Sequence, residues 1–188
     1  MLPLHAIADG AMLAIGAKDF CYPVEVYKNV DGVWEKHSYP INEPSPHCQD
    51  DRRKLAMAAG FYHGYYVALS EYGERLAVGS IATISSSDTL AEYESANLIV
   101  TTYQWDATFE NWEIMEDKKL SSPRSLFLYD IPQADWPQQS IALSDDADVL
   151  AVGGSELGIN VYSWNQTSFA WTPRSIDLNA TESKRLIG

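Results

Sequence analysis

Four histidines, two cysteines and 26 acidic residues are the groups in this 188-residue sequence that could ligate a metal or move a proton. His5, His37, His47 and His63 lack the short fixed spacings by which a chain wraps zinc, and His47 beside Cys48 offers too few ligands for a closed site. No Gly-x-Ser-x-Gly elbow occurs, and no glycine-rich loop stands before a helix to cradle phosphate. The carboxylates are spread along the chain, so no two stand out as a glycosidase pair. Asp and Glu are usually exposed, and a solvated surface role is their expected one. No catalytic, cofactor-binding or metal-ligating residue is therefore assigned, and no cofactor is expected. The run Asp50-Asp51-Arg52-Arg53-Lys54, just after Pro44-Ser45-Pro46, reads as a mixed-charge linker.

Charge narrows the partners. Thirteen Lys and Arg against 26 Asp and Glu leave a net charge of -13, a field that repels phosphate backbones and anionic lipid. Nucleic-acid binding is not expected, and high solubility is. No apolar run approaches the ~20 residues that cross a bilayer, so no membrane span is expected. Met1-Leu2-Pro3-Leu4-His5 has no basic stretch before an apolar one and does not read as a signal peptide. Cys21 and Cys48 are open between one disulfide and two buried thiols. Asn165-Gln166-Thr167 and Asn179-Ala180-Thr181 fit the glycosylation pattern, which matters only on the secretory route.

What must position any site is a repeat. Leu13-Ala14-Ile15-Gly16, Leu76-Ala77-Val78-Gly79 and Leu150-Ala151-Val152-Gly153 read alike. Each follows a turn position, Gly10, Gly73 or Ala147, and an earlier apolar stretch: His5 to Ala8, Val67 to Ser70, Ile141 to Ser144. Two short apolar runs around a polar turn predict a β-hairpin. A second hairpin is marked by an aromatic residue and a tryptophan seven positions later: Tyr27 and Trp34, Trp105 and Trp112, Trp164 and Trp171. From the leucine to the first of these aromatics is 14 residues in the first and third copies and 29 in the second. The excess of 15 is placed within residues 81 to 97, where Ser85-Ser86-Ser87-Asp88 reads as an exposed inserted loop.

This pattern predicts an all-β chain. Its expected form is a β-propeller-like array of about three four-stranded antiparallel blades, in one domain over 1–188 with repeats at roughly 1–55, 56–130 and 131–188. Small residues such as Ala77, Gly79, Ala151 and Gly153 would let sheets approach near an axis, and the tryptophans would fill the wider outer gaps as inter-blade core. A β-sandwich is the alternative, disfavoured by the threefold repetition.

The stretch His63-Gly64-Tyr65-Tyr66-Val67-Ala68-Leu69-Ser70, then Gly73, then Leu76-Ala77-Val78-Gly79, resembles the phenylalanine-glycine to glycine-alanine-proline (FG-GAP) repeat of integrin-like propellers. The resemblance implies a ring of blades serving adhesion or assembly, commonly outside the cell. The family's calcium loop is not matched: Asp145-Asp146-Ala147-Asp148 lacks the alternation and the glycine, and Asp9-Gly10 is too short, so calcium is not carried over.

Three blades fall short of the roughly 4–8 of a closed ring. The expectation is a piece of a larger ring, then completion by a second chain through open blade faces, then a compact open arc. The expected function is a non-catalytic interaction module whose loops 37 to 53 and 81 to 97 contact a protein or glycan. A carbohydrate-active propeller enzyme and a structural subunit of a larger assembly are the alternatives.

Overall fold

The computed structural model describes residues 4–6, 11–16, 24–41, 61–84, 95–115, 128–131, 140–154 and 158–174. They form three antiparallel sheets, with no helix among them. Sheet one holds β1 (Leu4–Ala6), β2 (Met12–Ile15), β3 (Glu25–Val30) and β4 (Val33–Lys36), paired in chain order. In sheet two, β5 (Phe61–Leu69), β6 (Arg75–Ile84), β7 (Ser95–Asp106) and β8 (Asn111–Ile114) follow the same order, and β9 (Leu128–Ile131) adds to the free end of β7. Sheet three repeats the meander with β10 (Ser140–Leu143), β11 (Val149–Gly154), β12 (Gly158–Asn165) and β13 (Ala170–Arg174).

The sheets stack face to face in a propeller-like array, with sheet two in the middle. Leu13, Leu76 and Leu150 hold the same rung of the ladder, each opposite a tyrosine of the third strand: Tyr27, Tyr103 and Tyr162. Because side chains alternate across a strand, that rung fixes two faces per sheet. One face of sheet two, built from Val67, Leu69, Leu76, Val78, Tyr103 and Trp112, packs on Met12, Ala14, Val24 and Val26 of sheet one. In the second interface, Leu150, Val152, Tyr162 and Trp171 of sheet three cover Ala68, Ala77 and Val100 of sheet two. Both interfaces thus lay a Leu-Val-Tyr-Trp face on a face whose second-strand alanine, Ala14 or Ala77, lets it approach closely. Met12 and Ile41 at the first interface and Tyr65 at the second are the larger members of that face. Ala14, Ala68 and Ala77 are fully buried, which permits close approach at the inner strands, and Trp112 and Trp171 lie on the outermost strands, where they fill the wider gap.

Two expectations need correction. The first concerns the seven-residue marker. Trp105 pairs Trp112 and Trp164 pairs Trp171, but Tyr27 pairs Lys36, and Trp34 stands opposite Asn29. The reason is the turn. Sheet one reverses through Asp31 and Gly32 alone, with φ of 53° and 86°, the left-handed pair of a tight two-residue hairpin. Sheets two and three use four-residue loops, so an equal count of residues spans a different register. By register, Tyr27 matches Tyr103 and Tyr162, and Trp34 matches Trp112 and Trp171.

The second concerns the insertion. It is not wholly an exposed loop: β6 runs on to Ile84 and β7 begins at Ser95, adding four rungs from Ile81↔Leu98 to Ile84↔Ser95. Residues 85–94 lie outside the described residues, as do Cys21, Cys48, His47, Asn179 and the charged run 50–54. A further refinement concerns burial. Unbroken burial of the second strand holds only in sheet two, from Leu76 to Ser80, because only that sheet is covered on both faces.

The first turns lock the sheets together. Ser70 and Ser144 close matching reversals, each hydroxyl accepting the N–H of residue 75 or 149. Gly73 and Ala147 take the left-handed position within them, at φ of 65° and 59°. Against Gly73 lies Met12, whose Cε and Cγ would sit 3.0 Å from an added Cβ. At the next interface Arg75, on the same rung as Met12, donates from Nη1 to the Ala147 carbonyl at 2.8 Å and to Asp148 Oδ1 at 2.9 Å. Left-handed backbone costs a side chain about 1–2 kcal/mol, and crowding adds to it. Gly73→Ala is therefore expected to lower unfolding free energy by about 1–3 kcal/mol, and Ala147→Gly to raise it by about 0.5–1 kcal/mol. Denaturant titration of the two variants checks the opposite signs.

Candidate functional site

One edge of the array gathers several of the exposed large side chains. In an antiparallel meander the first and third turns lie at the same end, and backbone bonds from Asn29 to Ala11, Trp105 to Glu74 and Trp164 to Asp148 tie them there. This turn edge exposes Val33, Tyr72, Phe109 and Phe169. Tyr72 and Phe109 are each 74% exposed, far from core behaviour. Acidic side chains surround them: Asp31, Glu74, Glu110 and Asp145 are all exposed.

The loops are preformed. Asp106 Oδ1 accepts the backbone N–H of Thr108 at 2.7 Å and of Phe109 at 3.2 Å. Asn165 Oδ1 does the same for Thr167 at 2.9 Å and Ser168 at 3.0 Å. Glu110 and Phe169 then close each loop at a φ of 50°. Such Asx capping spends the side chain on its own loop and fixes the backbone that carries the neighbouring aromatic. Asn165, one of the two glycosylation matches, is thus engaged through its oxygen.

Two grooves open beside these loops, one at each interface. The first, roughly 350 Å³, runs between Lys36 to Pro40 of sheet one and Phe109 and Glu110 of sheet two. The second, roughly 340 Å³, lies between Trp105, Asp106, Glu113 and Ile114 of sheet two and Trp164 and Phe169 of sheet three. They occupy matching places. His37 N–H bonds to the Val26 carbonyl and Met115 N–H to the Thr102 carbonyl, so His37 and Met115 leave their sheets at one rung.

The tryptophans divide by depth. Trp112 and Trp171 are buried, as inter-blade core should be. Trp105 and Trp164 are half-buried, each stacked edge to face on its partner at 5.5 Å between centroids. His37 lies 4.1 Å from Trp105, centroid to centroid. Burial there, with Lys28 nearby and Glu110 opposing, holds the imidazole below its ordinary 6.5. Arg75 sits over the Trp164 ring at 5.7 Å, a cation–π distance.

Asp146 and Asp148 have structural partners. Asp146 accepts from Ser144 Oγ at 2.6 Å and from the N–H of Asp148 at 3.1 Å, which keeps its carboxyl below the usual range. Asp148 pairs with Arg75. His5 lies on β1 and His63 on β5, in different sheets. Among the described residues no three His, Cys, Asp or Glu side chains cluster as metal ligands, and no helix is long and apolar enough to cross a membrane. Of the loops expected to make contacts, residues 37–40 line the first groove, while 42–53 and 85–94 lie outside the described residues. The turn edge was not singled out from sequence. Its signal was the aromatic residue inside each four-residue loop, Phe109 and Phe169.

No family model matches the chain, and no curated protein matches it in sequence. Among solved structures it is similar to a Bacteroides fragilis protein provisionally named a 6-phosphogluconolactonase, at 11% identity and a TM-score of 0.49. The alignment covers 90% of this chain and 36% of that protein's length. A likeness of this degree says nothing of activity.

The buried indoles and the stacked imidazole yield two expected outcomes. Trp171 Nε1 donates to Thr102 Oγ1 at 3.1 Å, whereas Trp112 Nε1 meets no acceptor among the described residues, since Val26 stands on the rung of Thr102. Thr102→Val should strand the Trp171 N–H and cost about 1–3 kcal/mol, read by thermal unfolding. His37, with its folded pKa depressed, binds a proton more readily when unfolded. Its contribution is present above 6.5 and is lost as pH falls through the depressed folded value. His37→Gln should flatten the fall in Tm over that window, and an unchanged slope would count against the assignment.

Proposed function

We propose that the chain is a non-catalytic interaction module built from propeller repeats, which takes a protein or glycan ligand along its turn edge. The observation that carries this reading is the pair of matching grooves, each flanked by a loop phenylalanine beside hydrogen-bonding side chains. Aromatic side chains held rigid in solvent offer contact area at low entropic cost, the quality that concentrates binding energy at recognition sites. Repetition of the groove from one interface to the next suits an extended ligand. The acidic surround favours a ligand that is neutral or basic. The resemblance to integrin-like propellers supports an adhesive or assembling role, with an extracellular setting as its corollary.

A carbohydrate-active enzyme is the second reading, favoured by one observation: Asp106 and Glu113 line the same groove. Against it, Asp106 Oδ1 already holds its own loop through two backbone hydrogen bonds, a structural use of that carboxylate.

Titration of the chain against arrayed neutral oligosaccharides and basic peptides tests the module. The double variant Phe109→Ala, Phe169→Ala should lose at least tenfold in affinity for whichever ligand binds, with Tm unchanged because both side chains are largely outside the core. Turnover of a glycoside that Asp106→Asn or Glu113→Gln abolishes would replace the module with the enzyme.

A further inference from the structure

Among the described residues one interface occurs twice, and both of its halves also occur uncovered. In sheet one, the face of Leu13, Ile15, Tyr27 and Trp34 corresponds rung for rung to the faces that sheets two and three bury. Trp34 is 44% exposed, whereas its counterparts Trp112 and Trp171 are 6% and 7% exposed. In sheet three, the opposite face of Ala151, Ile159 and Val161 corresponds to the small-residue faces that sheets one and two bury. Ile159 is 60% exposed, whereas Val100, on its rung in sheet two, is fully buried. Val161 matches Val26 and Thr102, buried at 2% and 1%, yet is itself only half-buried.

These two open faces are complementary. We infer that the aromatic face of sheet one packs on the small-residue face of sheet three in a second copy of this chain, so that two copies close a ring of six sheets. The template is the internal interface, seen at both junctions of the chain. Counted on the three described sheets, two copies give six, within the roughly 4–8 of known rings. The contact is head to tail, made twice about a two-fold axis.

Charge fits the junction. His37 of sheet one stacks on Trp105 and stands 6.5 Å from Trp112, its ring edge-on. Its register counterpart on sheet three is Arg174, opposite Val161 and exposed. In the closed ring Arg174 of one copy lies over Asn29 and Trp34 of the other, a cation on an indole. Glu25, the carboxylate of the aromatic face, is neutralised by Lys36 at 2.6 Å and hydrogen-bonded by Tyr27, which also lowers its pKa. Among the described residues of that face no unpaired charge therefore has to be desolvated.

Light scattering on the full chain is expected to give 42 kDa, twice the chain's 21.0 kDa, at micromolar concentration. Trp34→Glu and Ile159→Glu should each weaken the dimer more than tenfold. Mixing the two variants should restore it in part, because one junction of the mixed pair has both faces intact. Circular dichroism should show both folded, since each residue is exposed in the single chain, and Arg174→Ala serves as a milder probe with a severalfold weakening. A 21.0 kDa species at every concentration overturns the proposal and leaves the faces to another protein or other segments. So does a loss confined to Trp34→Glu, which signals a symmetric contact. The Phe109→Ala, Phe169→Ala variant keeps the 42 kDa mass, so this test and that of the turn edge fail separately.

Discussion

Everything in this structure depends on one packing rule, the seating of a Leu-Val-Tyr-Trp face on a face whose inner-strand alanines permit close approach. Apolar area removed from water supplies the driving force, at about 25 cal/mol per Å². The small residues set the distance. Ala14 and Ala77, fully buried, let the inner strands close in, and the tryptophans of β8 and β13 take up the space that opens outward. A large residue at either alanine would wedge the sheets apart and uncover the indoles together.

The two interfaces share this geometry but differ in chemistry. Where sheet one offers Met12 and Val26, sheet two offers Arg75 and Thr102 on the same rungs. The first junction is therefore sealed by a thioether and a methyl-bearing side chain, and the second by an ion pair, two carbonyl and hydroxyl acceptors and a cation over an indole. A buried N–H without an acceptor costs more than a hydrogen bond returns, so the Thr102 hydroxyl specifies the second junction more sharply than Val26 can specify the first. The first gains instead from the fit of Met12 against Gly73, where the absent Cβ is what makes room.

The candidate site grows from the same rule. Trp105 and Trp164 are the outer members of their stacked pairs and stand where core gives way to groove. Each is fixed by its buried partner beneath and by the Asx-capped loop beside it. Recognition against Trp105 and Trp164 would cost little ordering, because their buried partners already hold those rings.

Much of this was legible in the chain itself. The three Leu-Ala-aliphatic-Gly segments marked the second strands, and the shared ladder rung of Leu13, Leu76 and Leu150 shows them to be equivalent. The loops after Trp105 and Trp164 are capped by the side chains of Asp106 and Asn165, which directly follow those tryptophans. Register was not legible. A spacing of seven is met both by a tryptophan pair around a four-residue loop and by Tyr27 and Trp34 around a tight turn, and only pairing across strands tells them apart. Depth was hidden for a similar reason. Leu13 and Leu76 sit in matching sequences, yet only Leu76 is fully buried, because burial depends on the sheet that arrives from elsewhere in the chain. Local alternation and turn chemistry thus determine strands, faces and loops, whereas which face is covered, and which aromatic is left to meet a ligand, is decided when the sheets stack.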